Sequence, residues 1–212
     1  MGGEPLEQTL QQDPMPRLLA VLAGLALFAQ TLTVACAEKP AFGERLEGFD
    51  YPHRVQEFSF ASQGQTLEMA YMDVVPAQAG KANGRTAVLL HGKNFCGATW
   101  EATIKVLSDA GFRVVVPDQI GFCKSSKPQG YQFSLNQLAA NTRALIAQLG
   151  IGRITLIGHS MGGMLAARFA IAYPDAVEQL VLVNPLGLED WQAKGVPYAT
   201  IDALYQREVK TS

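Results

Sequence analysis

The chain has 212 residues, 48% hydrophobic and 17% charged, and its 17 Lys+Arg against 19 Asp+Glu give a net charge of −2. This length and apolar content predict one globular domain with a packed core, and they exclude a disordered or low-complexity protein. The charges are scattered and the three cysteines lack paired spacing, so we expect no nucleic-acid partner, no disulfide scaffold and no metal site.

The first 37 residues are predicted to be a signal peptide. Leu18–Ala29 is an unbroken apolar run of 12 residues, Arg17 precedes it, and the A-x-A sequence at 35–37 follows it as a cleavage site. Because a membrane-spanning helix needs about 20 apolar residues, this run favours export to the periplasm or the medium. An uncleaved membrane anchor and a lipid-modified Cys36 are the alternatives, and membrane contact is expected only through an uncleaved segment.

Met15 is a candidate for the true start of translation. Residues 1–14 are polar and acidic, which is atypical of the front of a signal peptide, whereas Met15 is followed directly by Pro16 and Arg17. Translation from Met15 therefore gives a conventional signal peptide. The N-terminal sequence of the precursor tests this hypothesis.

Beyond this segment, extended and helical patterns alternate along the chain. A leading β-hairpin is predicted over Val55–Phe60 and Thr66–Val75. Buried strands are predicted at Thr86–Leu90 and Arg113–Val116. Further strands are predicted at Arg153–Ile157 and Val177–Val183, the last of which is expected to be an uncovered edge. Helices are predicted around Trp100–Leu107, from Ser134 to Gly150, and over Met161–Tyr173. This order predicts an α/β fold whose sheet is parallel after its leading antiparallel hairpin and carries helices on both faces.

The second of these helices has a strong start signal. Ser134 is a predicted N-cap, and Gln137 follows three residues later, as in a capping box. The box predicts that each of the two side chains bonds the backbone N–H of the other residue.

The pentapeptide Gly158-His159-Ser160-Met161-Gly162 lies between an apolar strand and an apolar helix. G-x-S-x-G in this context is typical of a nucleophile elbow, a tight turn that presents the serine hydroxyl at the carboxyl edge of a sheet. Positions 158 and 162, both glycine, are expected to require small residues because the turn brings them against neighbouring backbone. Ser160 is therefore the predicted nucleophile.

Two further motifs accompany the elbow. His91-Gly92 ends the strand at 86–90, and Pro117–Phe122 follows the strand at 113–116. Together the three motifs resemble those of the α/β-hydrolase superfamily, over roughly residues 49–184. The resemblance implies an oxyanion hole formed by the backbone N–H of Met161 and that of Lys93, with Asn94 as the alternative to Lys93.

The resemblance also bears on the reaction. Relatives that open epoxides or displace halide carry Asp at the elbow, so Ser160 favours acyl transfer to water through an acyl-enzyme. A small-molecule carboxylic ester is the first expected substrate class, followed by amides and carbon–carbon cleavage of β-ketones. No cofactor is expected, because the chain contains no Gly-x-Gly-x-x-Gly motif.

The catalytic base is the main departure from the family pattern. The family's chain order is Ser, then Asp or Glu, then His, but no histidine follows Ser160. His53, His91 and His159 are interpreted as surface, loop-orienting and packing residues, respectively. Asp190 and Asp202 are weak candidates for the acid.

We therefore expect a C-terminally truncated hydrolase with an incomplete triad. Its predicted parts are a core over 38–185, in which the last strands of the family fold are missing, and the beginning of a cap over 186–212. The alternative is a non-catalytic remnant or binding protein that keeps the fold. Nothing in the sequence indicates an oligomeric state.

Cys96 and Cys123 follow two strands that are neighbours in the usual strand order of this family. Both loops lie at the catalytic edge, so the resemblance implies a disulfide between these residues, which suits an exported protein. Two buried free thiols are the alternative.

Overall fold

The computed structural model describes residues 41–76, 78, 80–208 and 210. The predicted signal peptide and the candidate start at Met15 lie outside these residues. Within the described ranges, no helix has both the length and the apolar character needed to cross a membrane.

The fold is built on a six-stranded sheet with the strand order β1-β2-β4-β3-β5-β6. The strands are β1 Val55–Ser62, β2 Gln65–Val74, β3 Thr86–Leu90, β4 Arg113–Pro117, β5 Ile154–His159 and β6 Val177–Val183. β2 pairs antiparallel with both β1 and β4, whereas the pairs β3/β4, β3/β5 and β5/β6 are parallel. The predicted mostly parallel sheet with a leading antiparallel hairpin is confirmed.

Helices cover both faces of this sheet. They are α1 Glu101–Asp109 on one face, and α2 Leu135–Gln148 and α3 Met161–Ala172 on the other. A fourth helix, α4 Ile201–Glu208, is exposed. Successive side chains of a strand point to opposite faces, and accordingly Val88 and Leu90 pack in one buried cluster with residues of α2 and α3. Ala87 and Leu89 pack in a second cluster with Ile104 of α1. The prediction of helices on both faces is therefore also confirmed.

The start of α2 differs from the sequence-based prediction in one bond. The Oγ of Ser134 accepts from the N–H of Gln137 at 3.1 Å, as expected of an N-cap. The Oε1 of Gln137, however, accepts from Gln63 Nε2 in the hairpin turn at 3.3 Å instead of from the N–H of Ser134, while its Nε2 donates to Ser62 Oγ at 3.2 Å. The capping box is half formed, because a hydrogen bond to the hairpin takes the place of its second bond.

The strand order brings the predicted motifs to one edge of the sheet. β3, β4 and β5 are neighbouring parallel strands, so their carboxyl ends lie side by side, and His91, Asp118 and Ser160 follow these ends directly. Ligand sites of open α/β sheets lie at this edge. β6 is the last strand of the described sheet, and the exposed segment after it contains α4; its role as a cap stays a prediction.

Candidate active site

Ser160 occupies a strained turn between β5 and α3. Its φ of 54° and ψ of −117° lie in a region that residues with a side chain rarely adopt. The backbone around it is fixed, because the N–H of Ser160 donates to Val183 O at 3.1 Å and its carbonyl accepts from Gly163 N–H at 2.9 Å and Leu186 N–H at 3.3 Å. The turn therefore holds the nucleophile in one orientation.

The two elbow glycines lie in direct contact with backbone. A Cβ on Gly158 would stand 2.1 Å from the carbonyl oxygen of Gly162. A Cβ on Gly162 would stand 2.1 Å from the carbonyl oxygen of Leu90 and 2.6 Å from that of His91. The elbow thus packs on the end of β3 with no room for a side chain at either position.

The two predicted oxyanion donors belong to segments that border Ser160. Met161 is the first residue of α3, so its N–H has no acceptor within the helix and sits at the positive end of the helix dipole. Lys93 and Asn94 belong to the turn after β3, which begins at Gly92. A Cβ on Gly92 would lie 3.1 Å from the Cβ of Ser160, so this turn starts beside the nucleophile.

His91 joins the loop after β3 to the loop after β4. Its imidazole is buried, its Nε2 accepts from the N–H of Gln119 at 2.9 Å, and its Nδ1 lies 2.9 Å from the carbonyl oxygen of Gly92. Since Nε2 accepts, Nδ1 carries the proton and donates, which is the neutral tautomer. Burial lowers the pKa of His91 below its ordinary value of 6.5. His91 therefore orients the loops as a neutral group.

The stability of the fold is expected to decrease as the pH falls below about 6.5, where unfolded His91 takes up a proton. The buried imidazole resists protonation, so between the folded and the unfolded pKa the unfolded state binds more protons. For each unit by which the pH falls in this interval, protonation of His91 in the unfolded state lowers the free energy of unfolding by up to about 1.4 kcal/mol. Urea unfolding between about pH 5 and about pH 7.5 measures this slope. His91→Gln should remove this part of the slope and His53→Gln, at an exposed position, should keep it; an unchanged slope in His91→Gln would contradict the assignment.

Asp118 accepts hydrogen bonds from three residues, a role that sequence reasoning missed. Its buried carboxylate accepts from Gly97 N–H at 2.7 Å through Oδ1, and from the Tyr51 hydroxyl at 2.6 Å and Lys124 N–H at 3.0 Å through Oδ2. Burial and the charge of Asp118 raise the pKa of Tyr51, so this tyrosine stays a donor. An acidic residue at the end of an apolar strand is a signal that the sequence shows, but two of its three partners, Tyr51 and Gly97, lie 67 and 21 positions away.

A disulfide is a third link between the loop after β3 and the loop after β4. Cys96 and Cys123 are bonded, with an S–S distance of 2.15 Å and a Cα–Cα distance of 5.7 Å. Their neighbours Gly97 and Lys124 are the residues whose N–H groups Asp118 accepts. The loop that carries Lys93 is therefore held to the loop after β4 by one covalent bond, the buried carboxylate of Asp118 and the buried imidazole of His91.

The remaining candidate residues are His159, which packs against an aromatic ring, and three exposed residues. The half-buried ring of His159 packs edge-on against Phe95 at 5.5 Å, and His53, Asp190 and Asp202 are exposed. Both ring nitrogens of the buried His91 bond backbone groups, those of Gly92 and Gln119. Within the described residues, no group of three or more His, Cys, Asp or Glu could hold a metal ion.

Comparisons with known proteins agree with this geometry. A family model described as alpha/beta hydrolase fold matches residues 87–209. The chain is 38% identical over 109 residues to the AB hydrolase superfamily protein YfhM of Bacillus subtilis. The aligned residues cover 51% of this chain and 38% of the relative. It is 32% identical over 108 residues to 2-hydroxy-6-oxo-2,4-heptadienoate hydrolase of Pseudomonas putida, covering 50% of this chain and 39% of the relative.

A solved structure is more similar. A probable hydrolytic enzyme from Pseudomonas aeruginosa PAO1 superimposes with a TM-score of 0.74 and 62% identity, covering 82% of this chain and 55% of that chain. The chain thus spans between 38% and 55% of the length of these three proteins.

Proposed function

The chain belongs to the alpha/beta hydrolase fold family, and from this premise we propose that it is a serine hydrolase acting on carboxylic esters. The observation that carries the proposal is the backbone of Ser160. A non-glycine residue at φ 54°, between β5 and the first N–H of α3, is held in the conformation of a nucleophile elbow. Such strain is kept where it serves a function.

The proposed reaction proceeds in two steps. The Oγ of Ser160 attacks the ester carbonyl, its proton passes to the departing alcohol, and water then hydrolyses the acyl-enzyme. The N–H of Met161 and an N–H of the turn at 93–94 stabilise the negative oxygen of each tetrahedral intermediate. Loss of one such donor typically costs about 2.7–4 kcal/mol of transition-state stabilisation.

The proposal includes an incomplete triad. Both ring nitrogens of the buried His91 bond backbone groups, so this imidazole does not take the proton of Oγ. Proton removal is then slow, and the oxyanion donors and substrate binding supply the catalysis. A serine at the elbow supports acyl transfer. The Pseudomonas putida relative is named for 2-hydroxy-6-oxo-2,4-heptadienoate, so an oxo-dienoate is the second substrate class to try.

We expect an alkyl fluorophosphonate to label the chain at Ser160, because the reagent reacts with an activated serine hydroxyl and mimics the tetrahedral intermediate. Ser160→Ala should abolish labelling. Ser59→Ala, on the exposed side of β1, should leave its rate unchanged. Mass spectrometry of the labelled peptide identifies the site, and circular dichroism checks that each variant is folded.

The opposite result has a clear meaning. A folded wild-type chain that stays unlabelled lacks an activated nucleophile, and the chain is then a non-catalytic protein that keeps the fold. The missing base within the described residues is the observation that favours this second candidate.

A further inference from the structure

A cavity of about 390 Å3 opens beside the elbow, between the loop after β4 and the first turn of α2. This size lies within the range of about 300–1,000 Å3 that is typical of small-molecule sites. Its wall includes Phe122, Phe133, Leu135, Leu138 and Met161. The last of these residues follows the nucleophile directly, so the cavity reaches the place where the substrate carbonyl would bind.

The wall of this cavity is apolar. None of the lining residues that the structure describes is charged, and Ser134 is the one polar side chain among them. The Oγ of Ser134 already accepts the N–H of Gln137 at the start of α2. A charged group entering the cavity would therefore lose its water without gaining a partner, whereas an apolar group gains by burial.

The position of the aromatic wall depends on a glycine. Gly121 has a φ of 93°, and a Cβ there would stand 2.7 Å from Cε1 of Phe133, so a larger residue would displace the ring. Phe133 also packs edge-on against Tyr131 at 5.0 Å. Phe133 is 51% exposed and Leu138 only 5%. The cavity thus has an open aromatic rim and a buried aliphatic floor.

We propose that this cavity binds the acyl group of the substrate, as an unbranched aliphatic chain or an aryl ring attached to the ester carbonyl. The inference rests on the proposed function. Met161 supplies both the proposed oxyanion N–H and a part of the cavity wall, so a carbonyl bound at this N–H can place its substituent in the cavity. The acyl group stays on Ser160 after the alcohol has left, so the cavity holds it through both steps.

Two series of esters test the assignment. In p-nitrophenyl esters with an increasing acyl chain, kcat/KM should rise roughly three- to fourfold for each buried methylene until the cavity is full, and then fall. In acetate esters with an increasing alcohol, kcat/KM should stay within about twofold. A rise confined to the alcohol series would overturn the proposal.

Variants of the wall sharpen the test. Leu135→Trp fills the cavity and should move the optimum to acetyl esters, whereas Phe133→Ala widens the rim and should move it to longer chains. Ile171→Trp is the matched control, since Ile171 is 72% exposed on α3 and does not line the cavity. An optimum that moves equally in the control, or in none of the variants, would count against the cavity.

A binding measurement separates this inference from the proposed function. Alkyl methyl ketones carry the carbonyl and the chain but cannot be hydrolysed, and calorimetry gives their affinity for the wild-type chain and for Leu135→Trp. Affinity that rises with chain length and is lost in Leu135→Trp supports the cavity even if no ester is hydrolysed. Affinity independent of chain length overturns the cavity even if esters are hydrolysed.

Discussion

Gly162→Ala is expected to destabilise the fold by about 3 kcal/mol or more and to abolish labelling of Ser160. The new Cβ would lie 2.1 Å from the carbonyl oxygen of Leu90 and 2.6 Å from that of His91. Both atoms are backbone at the end of the central strand β3, so they cannot move without disturbing the sheet and the turn after it. Gly158→Ala should behave alike, because its Cβ would meet the backbone of Gly162.

Urea unfolding of each variant measures the change in the free energy of unfolding. Gly152→Ala is the matched control, because a Cβ there meets nothing within 4 Å and the substitution lowers the entropy of the unfolded chain. We expect the control to be neutral or stabilised by up to about 1 kcal/mol. A Gly162→Ala variant as stable as the control would show that the elbow has room that the structure does not show.

Asp118→Ala is expected to cost about 3–5 kcal/mol of the free energy of unfolding, with a loss of Ser160 labelling in the folded fraction. The substitution leaves the hydroxyl of Tyr51 and the N–H groups of Gly97 and Lys124 without their acceptor in a buried place. The loop that carries the second oxyanion donor then keeps the disulfide and His91 as its links to the loop after β4.

Asp118→Asn tests whether the carboxylate is needed as an acceptor, because it replaces one acceptor oxygen by an NH2 group at nearly the same volume. Its amide oxygen can still accept from Gly97, but its NH2 group faces two donors, so we expect an intermediate loss of about 1–3 kcal/mol. The exposed ion pair of Lys105 and Asp109 provides the control, since Asp109→Ala should cost at most about 0.5 kcal/mol. Equal losses in the free energy of unfolding of Asp118→Ala and Asp109→Ala would refute the role of Asp118 as the shared acceptor of the two loops.

The parts of the site that the sequence predicts are those that local pattern decides. An apolar run before Gly158 and another after Gly162 place the serine between a strand and a helix, and steric exclusion at both glycines follows from that turn. The alternation of strands and helices likewise predicts the sheet, because each segment carries its own periodicity. These features need no knowledge of distant residues.

The parts that sequence reasoning missed depend on residues far apart in the chain. Tyr51 reaches Asp118 across 67 positions, and Gln137 reaches Ser62 across 75. The hairpin also supplies Gln63, whose side-chain N–H donates to the Oε1 of Gln137. This bond replaces the local one from the Ser134 N–H that the capping pattern predicts. The acyl cavity is similar: its wall combines the loop after β4, the start of α2 and the elbow.

The disulfide has a consequence for the chain before it folds. It links residues 27 positions apart that follow the carboxyl ends of β3 and β4, with α1 lying between them. An oxidised unfolded chain therefore already contains a closed ring that includes the residues of α1 and β4. On the chain-entropy view, a ring of this size removes about 3–4 kcal/mol of the unfolded state's conformational freedom. The catalytic edge is thus stabilised by restricting the random coil as well as by the contacts of the folded site.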